Sequence, residues 1–495
     1  MTQIAEQAAA SPSVATTPRV AFPETVGGRL LSSDRIARAV DEIVDEVSRA
    51  SARITDVRGP NPELLPAYEE ALRRAGESKG RGLLYPYLGS GLGNGALVEL
   101  GDGSVKWDMI TGIGVHFFGH SHPEIVRAQV RAGLEDTTKH GNLTSNNAPY
   151  EFAEELVRLA QRNSRLRHAY LSPSGALANE NALKVCYQKH APAGRVIAFE
   201  NNFMGRTVTM ANITDNAAYR QGVPLTTPVD YMPFWTDAAA ERAGGKTKFI
   251  DRAVAKLEAY IERYPGQHAC FIFELIQGEG GFNVAPREFH EELMKVCKAR
   301  GIAVWDDEIQ SFGRTTEMFA YEAYGLGEYV DVFCVGKLTQ VCATLFTEEY
   351  NPKPGLLSGT FLGATADFAA GVKILEMLRD GDYYGENGRI ARHHAEYRRL
   401  AKALEARRPE WFPKNEHVAD NVGGLGGFMK LTPFGGDKTK VMNLARACFD
   451  EGVIVFYCGH GPYHLRLLPP LGVMKLEDWP RVFECLERAM AKTAG

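Results

Sequence analysis

Lys337 stands just beyond an apolar run, residues 330–335, with only Gly336 between them. A lysine in such a setting can have a depressed pKa and act as a nucleophile. A second apolar run ends in Asp306-Asp307-Glu308. Three acids there are costly to bury without partners. They fit a solvated strand end, a cluster of metal ligands, or one carboxylate held against a cationic group. In Ser172-Pro173-Ser174-Gly175-Ala176, a strand-like segment leads in and a helix-like one leads out. Small residues at such a turn let backbone amides approach an anion, and a helix N-terminus favours negative charge. Two arginines complete the set. Arg206 lies in Phe203-Met204-Gly205-Arg206-Thr207, just past another apolar run, and Arg466 lies inside the apolar run 464–471. An arginine in such a run needs an anionic partner, either structural or a substrate carboxylate.

These groups must be positioned by regular elements, and the pattern along the chain supplies them. From about residue 120, helix-like and strand-like segments alternate. Strands are predicted at 168–172, 195–200, 270–276, 302–306 and 330–335, and helices at 149–160, 178–189, 253–264 and 288–300. Such alternation implies an α/β domain with a largely parallel sheet. In such sheets, ligands bind beyond the carboxyl ends of the strands, where all five groups fall. Beyond 380 a basic helical run, 389–408, leads into a smaller α/β unit ending in a helix at 477–492. Upstream, residues 33–75 read as helical, with Ile36, Ala37, Val40, Ile43 and Val47 at helical spacing and Pro60 and Pro62 breaking the pattern. The Gly-rich stretch 89–95 could suggest a nucleotide loop, but that requires a strand before it and a helix after it. The sequence instead gives strands at 96–100 and 105–109 around a turn, a hairpin signal.

The chain has 495 residues, with 44% hydrophobic and 24% charged. That is ordinary for a soluble globular protein and argues against wholesale disorder. A net charge of −5 gives no basic excess for nucleic acid. No stretch approaches the roughly 20 apolar residues of a membrane span. Residues 1–18, rich in Ala, Ser and Thr, read as a solvated tail without a secretory signal. The eight cysteines are scattered without a CxxC pair, which fits a cytoplasmic enzyme better than a zinc ribbon.

A phosphate cradle, an acid, a lysine, an aromatic face and two arginines together meet the needs of pyridoxal phosphate acting on amino acids. The wider sequence agrees. Gly112-Ile113 with Gly119-His120-Ser121-His122-Pro123, then Gln277-Gly278-Glu279-Gly280-Gly281, then Asp307-Glu308-Ile309-Gln310, occur in order. Over about residues 85–490 the chain resembles the class III aminotransferases, pyridoxal-phosphate enzymes with the aspartate-aminotransferase fold (fold type I). Residues 1–84, outside the resemblance, read as a tail and helical extension, and the resemblance implies 85–120 as a hairpin segment of the small domain. It implies 121–379 as the large cofactor-binding domain and 380–495 as the C-terminal small domain.

The resemblance also implies roles. Lys337 is expected to carry the cofactor and Asp307 to pair with its ring nitrogen. Gln310 is expected beside the phenolic oxygen and Phe203 on the ring face, with Ser174, Gly175 and Ala176 at the phosphate. Thr360 is expected to reach the phosphate of a neighbouring subunit, making a homodimer with shared sites. Arg466 would grip an α-carboxylate, Glu279 would cover Arg466 when an ω-amine is bound, and Arg206 would take a distal carboxylate. The implied reaction moves the amino group of an ω-amino acid (lysine, ornithine, acetylornithine or 4-aminobutyrate type) to 2-oxoglutarate by a ping-pong mechanism. Several positions depart from the family pattern: Ala176-Leu177 in the phosphate turn, Met204, and Leu338-Thr339-Gln340-Val341-Cys342 after the lysine. Gly175-Ala176-Leu177-Ala178 and Thr339-Gln340-Val341-Cys342 are locally most similar to lysine 6-aminotransferases and the related 4-aminobutyrate enzymes. A racemase or epimerase of the same fold, a non-catalytic scaffold and a nucleotide-dependent oxidoreductase are the competing expectations.

Overall fold

The computed structural model describes residues 22–494; the predicted tail at 1–18 lies outside the described residues. Seven strands form the central sheet: β1 Leu166–Ser172, β2 Arg195–Phe199, β3 Val229–Met232, β4 His268–Phe273, β5 Ala303–Glu308, β6 Val332–Val335 and β7 Cys342–Thr347. Their spatial order is β1-β7-β6-β5-β4-β2-β3. The β6–β5, β5–β4, β4–β2 and β2–β3 pairs are parallel, while β7 runs antiparallel to both of its neighbours. Strands β4, β5 and β6 are buried at every residue. That is why they read as continuous apolar runs: a parallel sheet covered on both faces has no polar side to alternate with. The helix Gly175–His190 follows β1 and turns Ala178, Ala182, Leu183, Val185 and Cys186 inward. Arg287–Ala299 covers the sheet through Phe289, Leu293, Met294 and Cys297.

A second, antiparallel sheet takes the order Val422–Leu425, Phe428–Leu431, His464–Leu467, Phe456–Cys458. Its register sets Arg466 opposite both Lys430 and Phe456. A third sheet joins the two ends of the chain. Gly89–Asn94, Leu97–Leu100 and Val105–Asp108 form a meander, and Val453–Ile454 adds in parallel beside Val105–Asp108. The Gly-rich stretch is therefore an edge strand and opens no helix. Gly93 is needed there, because a Cβ would lie 2.5 Å from the His120 Cβ and from the Leu97 carbonyl oxygen. The upstream helical reading resolves into Asp34–Ser51 and Leu65–Lys79, separated at the two prolines. Val40 is buried as the spacing predicts, but Ile43 is 46% exposed and lies off the packed stripe, where Val44 is buried instead.

Candidate active site

Five loops leave the carboxyl ends of the sheet strands and meet at one cavity of about 280 Å³. After β1 comes the turn to Gly175 and Ala176, after β2 Phe203 and Arg206, and after β4 Glu274 and Glu279. Asp307 and Gln310 follow at the end of β5, and Lys337 just after β6; all of these residues line the cavity. Two larger cavities, about 450 and 620 Å³, hold neither Lys337 nor Asp307. Chemistry rather than size therefore selects the site.

Lys337 adopts φ +53°, in the left-handed region that a residue with a side chain enters at a cost. Removal from bulk water lowers its ammonium pKa to about 8; Glu279 opposes the shift and Arg466 adds to it. Asp307 shows the converse. Burial raises its carboxyl to about 6, against hydrogen bonds from the Ile309 N–H at 2.9 Å and the Asn179 side-chain amide at 2.8 Å. A carboxylate held this way, with only a neighbouring lysine as cation, is incomplete until a positive group sits against it. The neighbours of Asp307 are not a solvated strand end: Asp306 and Glu308 are fully buried. They point away from the cavity, because side chains alternate along a strand. Among the described residues, no group of three or more His, Cys, Asp or Glu side chains is arranged to hold a metal ion.

Arg466 has its anionic partner. Its two terminal nitrogens donate to the two oxygens of Glu279 at 2.7 and 3.1 Å, and the arginine is fully buried. Burial alone would raise the Glu279 carboxyl, but the guanidinium overrides it and holds Glu279 below the ordinary carboxylate range. The fork leaves Nε of Arg466 buried without a partner. Arg206 behaves differently. It is exposed at the cavity mouth, and its guanidinium carbon lies 3.5 Å from the ring centre of Tyr219.

Three expected residues stand outside this cavity: Arg466 lies behind Glu279, which lines it, and Ser174 and Thr360 lie elsewhere. Ser174 caps its helix by accepting from the Leu177 N–H at 3.3 Å. Thr360 is exposed, in a loop whose Gly359 carbonyl accepts from the Asn142 N–H. Two lining residues were not anticipated from the sequence, Asn179 and Glu274. Asn179 also donates to the Met204 carbonyl at 2.8 Å, so one side chain ties the Phe203 loop to Asp307. Its place five residues into a helix gave no signal. Glu274 accepts from the Phe203 and Gly278 N–H groups, and burial, with Asp307 nearby, raises its carboxyl to about 8. An acid directly after a six-residue buried strand was the available clue.

Comparison with known proteins places this architecture. The chain belongs to the class-III aminotransferases, whose family profile matches residues 90–490. It is 30% identical to a 2-aminoadipate transaminase of Pseudomonas putida over 79% of this chain and 92% of the relative. It is 29% identical to a diaminobutyrate–2-oxoglutarate transaminase of Wolinella succinogenes, over 76% and 86%. The lysine aminotransferase of M. tuberculosis shares the fold at 22% identity, with a TM-score of 0.72, covering 85% of this chain and 99% of that one.

The protein is thus a transaminase of fold type I that works with pyridoxal phosphate. The residues present fit that group. The Oε1 atom of Gln310 and the Oδ1 atom of Asn179 are buried at the cavity with no partner. Asp307 accepts its hydrogen bonds from neutral donors, the Ile309 N–H and the Asn179 side chain, which suits it to a protonated ring nitrogen. The walls are cut close to the backbone: a Cβ on Gly175 would lie 3.0 Å from Ile309, and one on Gly278 2.6 Å from Gln310.

Proposed function

We propose that this enzyme takes the amino group from an ω-amino acid of the lysine, ornithine, acetylornithine or 4-aminobutyrate type and passes it to 2-oxoglutarate. The observation that carries the reading is the Glu279–Arg466 pair, in which Glu279 lines the cavity that holds Lys337 and Arg466 lies behind it. A terminal amine and an α-carboxylated acceptor must both present their reacting carbon to one lysine. With Glu279 over Arg466, the buried cation is neutralised and a neutral or apolar stem can lie against it. With Glu279 withdrawn, the same fork is free to take an α-carboxylate in bidentate geometry. Arg206, exposed and without a carboxylate partner among the described residues, is the receptor for a carboxylate at the far end of either substrate. The names of the two curated relatives support amino-acid donors, and one of them names 2-oxoglutarate.

Pyridoxal phosphate, when bound, supplies an electron sink and carries the amino group between the two half-reactions. Lys337 would hold it and, once released by the incoming amine, use Nζ to take and return the proton at the reacting carbon. A pKa near 8 leaves a useful fraction of that amine neutral at physiological pH. Asp307 would hold a proton on the ring nitrogen, kept in place by Asn179 and the Ile309 N–H. Gln310 would face the phenolic oxygen and Phe203 the ring. The Gly175 and Ala176 amides, at the N-terminus of a long helix, would receive the phosphate.

We also read the molecule as a large domain, 121–379, and a small one combining 85–120 with 380–495. The pairing of Val105–Asp108 with Val453–Ile454 supports that combination. The exposure of Thr360, away from its own chain's cavity, supports a homodimer in which it serves the neighbouring site. All eight cysteines are unpaired, which favours a reducing compartment such as the cytoplasm. Among the described residues, no helix is long and apolar enough to cross a membrane.

The test is the absorbance spectrum of the cofactor-loaded enzyme before and after single additions of lysine, ornithine, acetylornithine and 4-aminobutyrate without acceptor. One donor should convert the visible band, and 2-oxoglutarate should restore it. A band left unchanged by all four donors rejects the donor assignment. Loss of stereochemistry without any acceptor would place the enzyme among the racemases.

A further inference from the structure

Arg206 is held by a ring. Its guanidinium carbon sits 3.5 Å from the centre of Tyr219, and Phe203 is edge-on to the same ring, with centroids 5.8 Å apart and planes at 90°. Tyr219 thus touches both the arginine assigned to the distal carboxylate and the aromatic residue assigned to the cofactor. The short helix that carries it, Ala217–Arg220, is anchored through the two residues that precede it. Asp215 accepts from the Asn201 N–H at 2.9 Å and donates its own N–H to Asn202 at 2.8 Å. The Asn216 side chain meets His460 Nδ1 at 3.3 Å, and the neighbouring Gly459 N–H donates to the Glu279 carbonyl at 2.9 Å. A single strap therefore runs from the Arg206 side of the cavity to the loop that carries the gate. Burial raises the Tyr219 phenol above its ordinary value; Glu279 adds to the shift, and Arg206 and Arg466 oppose it.

Resting on the carboxylate roles proposed above, we infer that Tyr219 is the positioning residue that makes Arg206 a receptor for substrates with a carboxylate at the end away from the reacting carbon. An exposed arginine samples many rotamers, and a carboxylate must pay to order it. Stacking on an aromatic face fixes the guanidinium plane in advance through a cation–π contact and leaves its N–H edges free. The consequence is selectivity for dicarboxylates, with little effect on the chemical step.

The experiment compares 2-oxoglutarate with 2-oxopentanoate, an acceptor of equal length without the distal carboxylate, on the cofactor-loaded enzyme. Tyr219→Leu should raise KM for 2-oxoglutarate roughly 5- to 30-fold, leave kcat within about two-fold, and leave KM for 2-oxopentanoate unchanged. Tyr219→Phe, which keeps the ring face, should behave as wild type. Should the leucine variant fail to fold, Tyr219→His, with a smaller and weaker face, should give an intermediate rise for 2-oxoglutarate alone. An equal rise for both acceptors, or none, overturns the inference. Arg206→Ala separates the two levels. If it fails to abolish the preference for 2-oxoglutarate, the carboxylate role of Arg206 falls. If it abolishes the preference while Tyr219→Leu does not, only the role of Tyr219 falls.

Discussion

Glu279 and Arg466 are 187 residues apart in sequence, and they meet through two hydrogen bonds, 2.7 and 3.1 Å long, at the wall of the cavity. One comes from the loop after a central strand, the other from a strand of the antiparallel sheet. A buried pair of this kind is worth little as a fold stabiliser, because the desolvation of both ions offsets their attraction. Its value here lies in being separable.

Arg466→Ala should therefore damage one half-reaction. Loss of a charge-assisted fork to a substrate carboxylate costs about 2–5 kcal/mol, so kcat/KM for glutamate and 2-oxoglutarate should fall at least about thirty-fold. The ω-amine half-reaction should change far less. Single-turnover rates for each half measure this directly, and equal losses in both would falsify the gate.

Lys337→Ala should lower turnover by about three orders of magnitude or more, since a proton carrier and an attachment point are lost together. The cavity walls, Asp307 and the phosphate turn remain, so the variant should still bind the cofactor. Activity and cofactor titration on the same preparation check both halves of the statement. Wild-type turnover in the variant would remove Lys337 from the chemistry.

Much of this site was legible in the sequence because chemistry and topology coincide. Lys337 and Asp307 each stand where a buried apolar run stops, and Gly175 where a strand gives way to a helix; a parallel sheet gathers such ends on one edge. Arg466 was legible because a cation inside an apolar run demands an acid, though only the fold brings Glu279 to it. Asn179 was not legible: a polar residue within a helix has many possible partners, and its contact with Asp307 spans 128 residues. The Gly-rich edge strand was missed as a strand because glycine carries no alternation to read. Of the three readings open for Asp306-Asp307-Glu308, the solvated strand end fails, because the strand points one acid into a cavity and two into the core.

Those two core acids give a pH-dependent stability. Asp306 has neither oxygen partnered, and Glu308 accepts from the Ala320 and Tyr321 N–H groups at 2.7 and 2.8 Å. Burial raises both carboxyls well above the ordinary range, and Glu308 raises Asp306 further. The folded protein therefore holds protons that the unfolded chain has released. Their stabilising contribution is complete below about pH 4 and is lost as pH rises towards the folded-state values, at up to about 1.4 kcal/mol per pH unit per proton. Asp306→Asn removes one of the two groups that hold those protons. Its melting temperature relative to wild type should climb from pH 5 to pH 8, and a difference that stays flat across that range refutes the mechanism.

Gly205→Ala should cripple the loop that carries Phe203 and Arg206. Gly205 has φ +134°, and a Cβ there would lie 2.7 Å from the Cβ of Ala176 in the phosphate turn. Overpacking and backbone strain together cost about 1–3 kcal/mol. Weaker cofactor binding should accompany a lower melting temperature. Unchanged cofactor affinity would show that the two loops are not coupled.

The third sheet sets the schedule by which a newly made chain can finish. Lys106 donates to the Phe449 carbonyl at 2.8 Å across 343 residues, beside the strand that pairs with Val453–Ile454. At about 5–20 residues per second, the ribosome delivers that partner on the order of tens of seconds after residues 89–108 emerge. Throughout that interval the meander has an open edge and an unfilled apolar face, while the central sheet is already complete by residue 347. Premature termination between residue 347 and Val453 leaves a nascent protein with Lys337 in place, a bare strand edge and no Arg466, a species that chaperones and proteases meet before any substrate does.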